Sequence, residues 1–301
     1  MKNDIVRSPL FYVGDKYKLI SEIKQYFPLN IRQFAEPFVG GGSVFMNVDA
    51  EQYYLNDIDK NIIEIHKMLC EFADKQTCFF QLVDDTVNQY DLSYSFKEDV
   101  IPEELKKQFV KTYYARFNKE GYEKMRHDYN MAQERSTFLL YMLLIYGFNR
   151  MIRFNKSGNF NLPVGNVDFN TNTANALENY FTLVIKKQPS WYNLDFEEFI
   201  RRLNLNEQDL IYLDPPYLIT FSEYNKLWSE ATEQRLLNLL DSLNQQRIKF
   251  AISNVTHYKG KTNDLFITWA NRYEIHPIRS NYINYHDNTT KSFNEVLVTN
   301  Y

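Results

Sequence analysis

The stretch Leu210-Ile211-Tyr212-Leu213-Asp214-Pro215-Pro216-Tyr217 decides how the rest of the chain is read. Its apolar run has the length and character of a strand buried on both faces. Proline cannot donate to a sheet ladder, so the strand ends at the double proline. The residue before a proline is driven toward extended geometry, which keeps Asp214 on the strand's C-terminal lip. In open α/β sheets ligands bind at that lip. A carboxylate, a carbonyl with no adjacent N–H and a ring face are therefore expected at one spot in a crevice.

The rest of the chain can supply such a sheet. Its 301 residues suit one large α/β domain or two lobes. Aromatic residues make up 16%, with 23 Tyr and 23 Phe, enough to serve both cores and stacking platforms. The net charge of −4 and pI near 5.8 run against a uniformly basic, nucleic-acid-coating surface, so any such partner must be met by a local patch. Cys70 and Cys78 have no zinc-ligand spacing around them and read as reduced thiols of an intracellular protein. No apolar run reaches the roughly 18 residues that span a membrane, and the N-terminus lacks the apolar core of a signal peptide. A soluble, cytoplasmic chain is expected.

Upstream, residues 8–29 open with Ser-Pro-Leu-Phe-Tyr-Val-Gly-Asp-Lys and continue with Leu19, Ile20, Ile23 and Phe27 on one helical face. Lys16 and Lys18 sit where that helix starts, a position unfavourable to cations unless they face an anion or ligand. Residues 31–47 read as a strand, then Gly40-Gly41-Gly42, then a helix opening at Ser43. Such glycines let the backbone approach a ligand beside free helix N–H groups. Phe45 stands where a dinucleotide fingerprint needs its third glycine. The next strand, Tyr53-Tyr54-Leu55, ends in Asn56-Asp57, an acid placed where ribose hydroxyls are gripped. Asp59 is positioned to cap a helix from Lys60 to about Phe72. Together these describe a nucleoside-binding half-sheet.

Between about 73 and 188 the alternation of strand and helix breaks down. Segments 102–117 and 121–146 read as helices, and alternation around Lys156-Ser157-Gly158 predicts a β-hairpin. Residues 111–156 carry nine Lys/Arg against four Asp/Glu, a local basic excess within an acidic protein. Basic and aromatic residues interleaved on a hairpin suit phosphate contact and groove insertion. The sheet resumes at Trp191–Leu194, ending in Asp195-Phe196, and continues through the strand into Asp214. Leu218–Glu230 reads as a mobile connection. A helix over 231–246, a strand over Ile248–Ser253, a helix over 262–271, a strand over 273–277, a polar loop over 279–292 and a last strand over Glu295–Thr299 follow.

Three strands thus end in Asp57, Asp195 and Asp214. Paired carboxylates suit acid–base hydrolysis or a metal site. No histidines with ligand spacing accompany them, so no metal is assigned, and that chemistry leaves the prolines and the ring without a task. Methyl transfer to an exocyclic amine uses all of them. The amine's lone pair is delocalised into its ring, and two acceptors on its N–H groups localise it toward a donor methyl. Asp214 and the Pro215 carbonyl supply the acceptors. Tyr217 supplies a stacking face, and a base from a duplex must be flipped out to reach it.

Asp214-Pro215-Pro216-Tyr217, with Glu36-Pro37-Phe38-Val39-Gly40-Gly41-Gly42 upstream, resembles the S-adenosylmethionine-dependent amino-methyltransferases. The order of cofactor half, insert and catalytic half is similar to the Dam-type DNA adenine-N6 methyltransferases. The likeness covers nearly the whole chain. It includes Tyr12-Val13-Gly14-Asp15-Lys16, Asn56-Asp57, Arg153-Phe154-Asn155 through Phe160-Asn161-Leu162-Pro163, Asp195-Phe196 and the closing Asn294–Tyr301. It implies a Rossmann-like α/β methyltransferase sheet formed by 1–72 and 189–301. An inserted, mostly helical DNA-recognition domain with a β-hairpin would occupy 73–188. It further implies that Tyr12, Lys16, Phe38, Gly40, Gly42 and Asp57 surround S-adenosylmethionine, with Asp57 on the ribose and Asp195 and Phe196 on the cofactor's adenine. Asp214, Pro215, Pro216 and Tyr217 would hold the target adenine, with Asp214 also bordering the cofactor. Phe148 and Asn149 match residues that wedge into the DNA site. Met151, Arg153 and Pro163 match base-reading positions, where arginine fits guanine bidentately and an apolar group fits a thymine methyl.

Three positions depart from the family pattern. Phe11 stands where Dam-type members often carry a lysine that reads the first base of GATC. Arg150 replaces the glycine common after the hairpin asparagine, and Asp15 replaces a frequent glycine. These departures bear on the sequence read and leave the chemistry untouched. The implied partners are double-stranded DNA and, for a modification enzyme rather than an orphan methylase, a restriction endonuclease acting separately. Methylation of cytosine N4, RNA or a protein amide is the nearest alternative chemistry. A catalytically silent DNA-binding protein on the same fold is the alternative class.

Overall fold

A computed structural model of the chain describes residues 5–220, 228–278 and 294–301. Parallel strands form its centre: β1 (Gln33–Glu36), β2 (Gln52–Asn56), β3 (Ser190–Tyr192), β4 (Leu210–Leu213) and β5 (Lys249–Tyr258). The short β6 (Lys261–Thr262) hairpins back on β5, and β7 (Glu274–Ile278) and β8 (Asn294–Thr299) complete the sheet. The order is β3-β2-β1-β4-β5-β8-β7, with β8 antiparallel to both neighbours. This is a mixed, mostly parallel α/β sheet of the Rossmann-like kind.

Period-two alternation divides β4 between two cores. Leu210 and Tyr212 belong to one apolar cluster, together with Phe34 and Leu297, while Ile211 and Leu213 belong to the other, with Ala35, Phe250 and Val298. Helices Phe196–Arg202, Glu230–Gln245 and Asp264–Ala270 cover the second face. Helices Lys60–Glu71, Thr137–Tyr146 and Thr171–Lys187 cover the first. With both faces covered, the central strands carry continuous apolar runs.

The first cluster also takes in Phe79, Tyr122 and Phe160, so the 73–188 segment shares its core with the sheet. Helix Thr171–Lys187 packs against Lys60–Glu71, and Lys187 Nζ donates to the Val48 carbonyl and the Tyr53 hydroxyl. That helix is therefore, by its packing, the crossover that leads into β3, parallel to β2. Two helices here, Gln76–Gln89 and Thr171–Lys187, fall where the sequence pattern alone predicts no regular element.

The expected helix over 121–146 is two helices, Lys119–Met131 and Thr137–Tyr146. Ala132 turns extended, and Ser136 caps the second helix by accepting from the Leu139 N–H at 3.2 Å. The 102–117 helix is likewise split into Glu103–Gln108 and Tyr113–Phe117. The amphipathic segment near the N-terminus is helical only at Ile20–Ile23, followed by a 3₁₀ turn to Tyr26. Its apolar residues Leu19, Ile20, Ile23 and Phe27 are nonetheless all buried. The hairpin is present as two isolated bridges, Phe154–Phe160 and Gly147–Val164. Residues 221–227 of the expected mobile connection and the polar loop over 279–292 lie outside the described residues. Among the described residues no helix is long and apolar enough to cross a membrane.

Candidate functional site

The site sits where the chain changes direction across the sheet. β1 pairs with β2 on one side and with β4 on the other, Ala35 lying opposite Ile211. Connections on the two sides diverge, leaving a crevice at the C-terminal ends of β1 and β4. Glu36 and Asp214, each followed by a proline, flank that crevice.

On the β1 side the glycine turn is fixed at both ends of one peptide residue. Gly40 N–H donates to Asp57 Oδ2 at 2.9 Å, and the Gly40 carbonyl lies 2.9 Å from His66 Nε2. A carbonyl can only accept, so Nε2 carries the proton and Nδ1 accepts from the Tyr180 hydroxyl at 2.8 Å. His66 is fully buried and stacked on Trp191, with ring centroids 4.4 Å apart. Burial lowers its pKa to about 4, in keeping with a neutral ring. Asp57 also accepts from Asp59 N–H at 2.9 Å, and burial raises its pKa to about 6. Gly40 and Gly42 have φ of +46° and +78°, left-handed conformations that disfavour side chains. Tyr12 lies against the turn, its Cβ 3.0 Å from where a Gly41 side chain would begin, and the Ser8 hydroxyl donates to the Gly41 carbonyl. Tyr12, Gly40, Gly42 and Asp57 are thus brought together.

The β4 side is a network of charged groups. Lys16 Nζ lies 2.6 Å from Asp214 Oδ2 and 3.7 Å from Glu295 Oε1, with its ammonium 5.2 Å from the Tyr217 ring centroid. The Tyr217 hydroxyl lies 2.8 Å from Asp214 Oδ1 and 3.0 Å from Glu295 Oε1. Sheet alternation explains the convergence. Glu36 shares parity with Phe34, Asp214 with Tyr212, and Glu295 with Leu297, and all three apolar residues face the first core. Three acids from three strands therefore point to one side of the sheet. Burial raises the pKa of both Glu36 and Glu295, and the Asp214 charge raises each further. Lys16 partly offsets this for Glu295, and the Phe45 N–H, which donates to Glu36 at 3.2 Å, does so for Glu36. Of the acids, Asp214 lies nearest the Lys16 ammonium, and Glu295 stands farther off. Breaking such a pair by removing one partner costs about 3–5 kcal/mol when it is fully buried. Asp214 retains 19% side-chain exposure, facing the crevice.

Beside the glycine turn stand three rings. Phe38, Phe196 and Trp228 have centroids 5.6–6.0 Å apart, the spacing of rings packed on one another, and so form a continuous apolar wall. Asp195 caps the helix at Phe196 by accepting from Glu197 N–H at 3.0 Å and pairs with Arg235, whose guanidinium lies 4.5 Å from the Phe196 ring.

The hairpin rises from the first face. Phe148 is 51% exposed, and Asn149 and Arg150 adopt φ of +54° and +48°. Phe148 N–H donates to the Pro163 carbonyl at 2.9 Å, joining the two strands. Asn130 grips Phe160 through both its amide groups, and Arg126 donates to the Leu162 carbonyl. Arg153, expected to read bases, spends Nε and one terminal nitrogen on Asn161 across the hairpin at 2.9 and 2.8 Å. Met151 is half-buried.

Sequence reasoning missed His66, Trp228 and the site roles of Glu36 and Glu295. Two signals were available. Glu36-Pro37 repeats the acid–proline ending of Asp214-Pro215, and Glu295 is a lone charge entering the apolar run Val296-Leu297-Val298. A surface concavity lined by Gln208, Asn244, Lys249 and Asn300 lies at the opposite end of β4 and β5 and holds none of these groups. Among the described residues no cluster of His, Cys, Asp or Glu has the geometry to hold a metal ion.

The family of D12 class N6 adenine-specific DNA methyltransferases matches residues 12–283. The chain belongs to this family. It is 34% identical over 98% of its length to modification methylase StsI of Streptococcus sanguinis, of which it covers 43%. It is 32% identical over 99% of its length to the type II methyltransferase M.FokI of Planomicrobium okeanokoites, again covering 43%. A DNA adenine methylase of Vibrio cholerae is 30% identical over 70% of this chain and 65% of its own. The chain thus spans less than half the length of the first two relatives.

Proposed function

We propose that this D12-class chain transfers a methyl group from S-adenosylmethionine to the N6 amine of an adenine flipped out of duplex DNA. The observation that carries the proposal is the placement of Asp214. It stands at the switch-point end of β4, oriented by Lys16 and Tyr217 and open to the crevice beside the glycine turn.

The residues present fit the cofactor. Asp57 keeps a second lone-pair site on each oxygen for ribose hydroxyls. The Phe38–Phe196–Trp228 wall offers its adenine an apolar face, and Tyr12, Gly40 and Gly42 stand at the glycine turn beside Asp57. When bound, S-adenosylmethionine supplies a methyl group activated on a sulfonium.

The chain's own groups prepare the acceptor. Asp214 accepts from one N6 proton through a lone pair that Lys16 and Tyr217 leave available, and the Pro215 carbonyl accepts from the other. The amine lone pair then points out of the base plane, toward the donor. Tyr217 offers its ring to the base, worth about 1–3 kcal/mol in stacking. Its hydroxyl, tied to Asp214 and Glu295, fixes the tilt of that ring in advance. Phe148 and Asn149 fill the space the base vacates, and Arg150, Met151, Arg153 and Pro163 face the bases that remain paired. On this reading residues 1–72 and 189–301 bind cofactor and target, and 73–188 recognise DNA, with helix Thr171–Lys187 serving the sheet by its packing.

The names of the relatives, modification methylases and DNA adenine methylases, support site-specific modification of double-stranded DNA, with a separately acting restriction endonuclease as companion. The cytoplasm is where such a reaction proceeds, and no membrane is involved. Expression in a methylation-free host followed by long-read mapping of modified bases tests the proposal. N6-methyladenine at one recurring sequence is expected; an unmodified genome would overturn it.

A further inference from the structure

Away from the catalytic network, two guanidinium groups share a single ring. Arg7 Cζ lies 4.5 Å and Arg150 Cζ 4.0 Å from the Phe11 ring centroid, and Arg7 also lies 5.0 Å from that of Tyr17. Arg7 comes from the N-terminal segment and Arg150 from the hairpin, so the cluster joins the two elements that flank the target pocket. Phe11 adjoins Tyr12 on the glycine turn, and Arg150 adjoins Asn149.

The arrangement is costly in two ways. Phe11 and Arg150 adopt φ of +47° and +48°, left-handed backbone that an aromatic or long side chain seldom occupies. Strain of this kind concentrates where function needs a fixed geometry. The two like charges also meet on one ring, with Asp15 near Arg7 and Asp168 near Arg150 acting only at longer range. Among the described residues neither guanidinium makes an ion pair or a hydrogen bond, and burial with the Arg7 charge lowers the Arg150 pKa to about 10. Each guanidinium brings five N–H donors, and the shared ring partly offsets their repulsion.

We infer that Arg7 and Arg150, held on Phe11, form a base-reading fork that takes the acceptor edge of a guanine in the DNA target. The inference rests on the DNA-methylating reading above. Stacking fixes the plane of a guanidinium and leaves its N–H edge free, which is what bidentate contact with guanine O6 and N7 requires. A backbone phosphate needs only a nearby positive charge, which flexible surface lysines supply without strained backbone. Arg7 is exposed and Arg150 half-buried, so one can reach into a groove while the other is set by the hairpin.

The test uses Arg7→Ala, a change at an exposed side chain, and Arg150→Gly, which removes the guanidinium and relieves the positive φ. Wild type and both variants are incubated with a library of duplexes randomised around adenine, and methylated sequences are read out at several salt concentrations. The expected result is relaxed choice at one guanine position, with discrimination falling about tenfold or more. Uniform weakening at every sequence, with a salt slope shallower by about one, would assign the arginines to phosphates and overturn the inference. Unchanged preference in both variants would overturn it too. Failure of the wild-type chain to methylate any duplex would instead strike the functional reading beneath it.

Discussion

Gly40 is held by two titratable groups whose pH responses run in opposite directions, and that opposition can be measured. His66 has a pKa near 4 in the fold against an ordinary 6.5. Its contribution to stability is present above pH 6.5 and is lost as pH falls through about 4. The size is about 3 kcal/mol, from 1.36 kcal/mol per pH unit over that window. Asp57 has a pKa near 6 against an ordinary 3.8. Its contribution is present below pH 3.8 and is lost as pH rises through about 6. Because its side chain is partly exposed, about 2 kcal/mol is a fair size. In the wild-type chain the two slopes largely cancel. His66→Phe keeps the stack on Trp191 but strands the Gly40 carbonyl, at about 1–3 kcal/mol. Its deficit against wild type should be greatest above pH 6.5 and shrink by about 3 kcal/mol toward pH 4. Asp57→Asn should do the reverse, with its deficit greatest near pH 4 and about 2 kcal/mol smaller above pH 6. Urea unfolding at closely spaced pH values, taken as variant minus wild type, removes what other buried carboxyls contribute. Difference curves of the same sign, or two flat ones, would refute the assignment of these groups to the turn. On the proposed placement of the cofactor beside this turn, His66→Phe should also raise the KM for S-adenosylmethionine more than it lowers kcat.

Other outcomes follow from the charged network. Asp214→Ala should lower methyl transfer by about a hundredfold or more while far-UV circular dichroism stays unchanged, since an acceptor is lost at a strand end; activity within tenfold of wild type would remove its role. Glu295→Gln keeps the contact to Tyr217 but withdraws a carboxylate from Lys16, so kcat should fall about tenfold with cofactor KM little altered, about 1.4 kcal/mol in the barrier. Equal losses in both parameters would point to collapse of the pocket instead. Phe148→Ala removes a half-exposed ring, so stability should change by no more than about 0.5 kcal/mol. The fluorescence rise of 2-aminopurine at the target position should nonetheless weaken, and an undiminished rise would exclude Phe148 from base extrusion.

The sheet was legible because its strands end in punctuation. Asp214-Pro215-Pro216, Gly40-Gly41-Gly42 and Asn56-Asp57 each stop an apolar run at the ligand-facing edge, and a local pattern suffices to place them. What escaped had no local cause. His66 looks like any residue on an amphipathic helix until Gly40, Tyr180 and Trp191 close around it from distant positions. Glu295 reaches the site only because β8 inserts antiparallel between β5 and β7. The break between Met131 and Thr137 was signalled by Ser136 as a cap, but the apolar run that follows carried the helical reading across it. Arg135, within that break, donates to the Gly158 carbonyl and Asn159 Oδ1 at the hairpin tip, contacts between distant positions that no local pattern announces.

Methyl transfer is tested most directly by incubating the chain with duplex DNA and methyl-labelled S-adenosylmethionine, then digesting the DNA and separating its nucleosides. Label in N6-methyladenine, lost in Asp214→Ala, is the result predicted. Label in N4-methylcytosine, or unlabelled DNA from a chain shown to bind both duplex and cofactor, would contradict the reading of Asp214 as the acceptor that prepares an adenine amine.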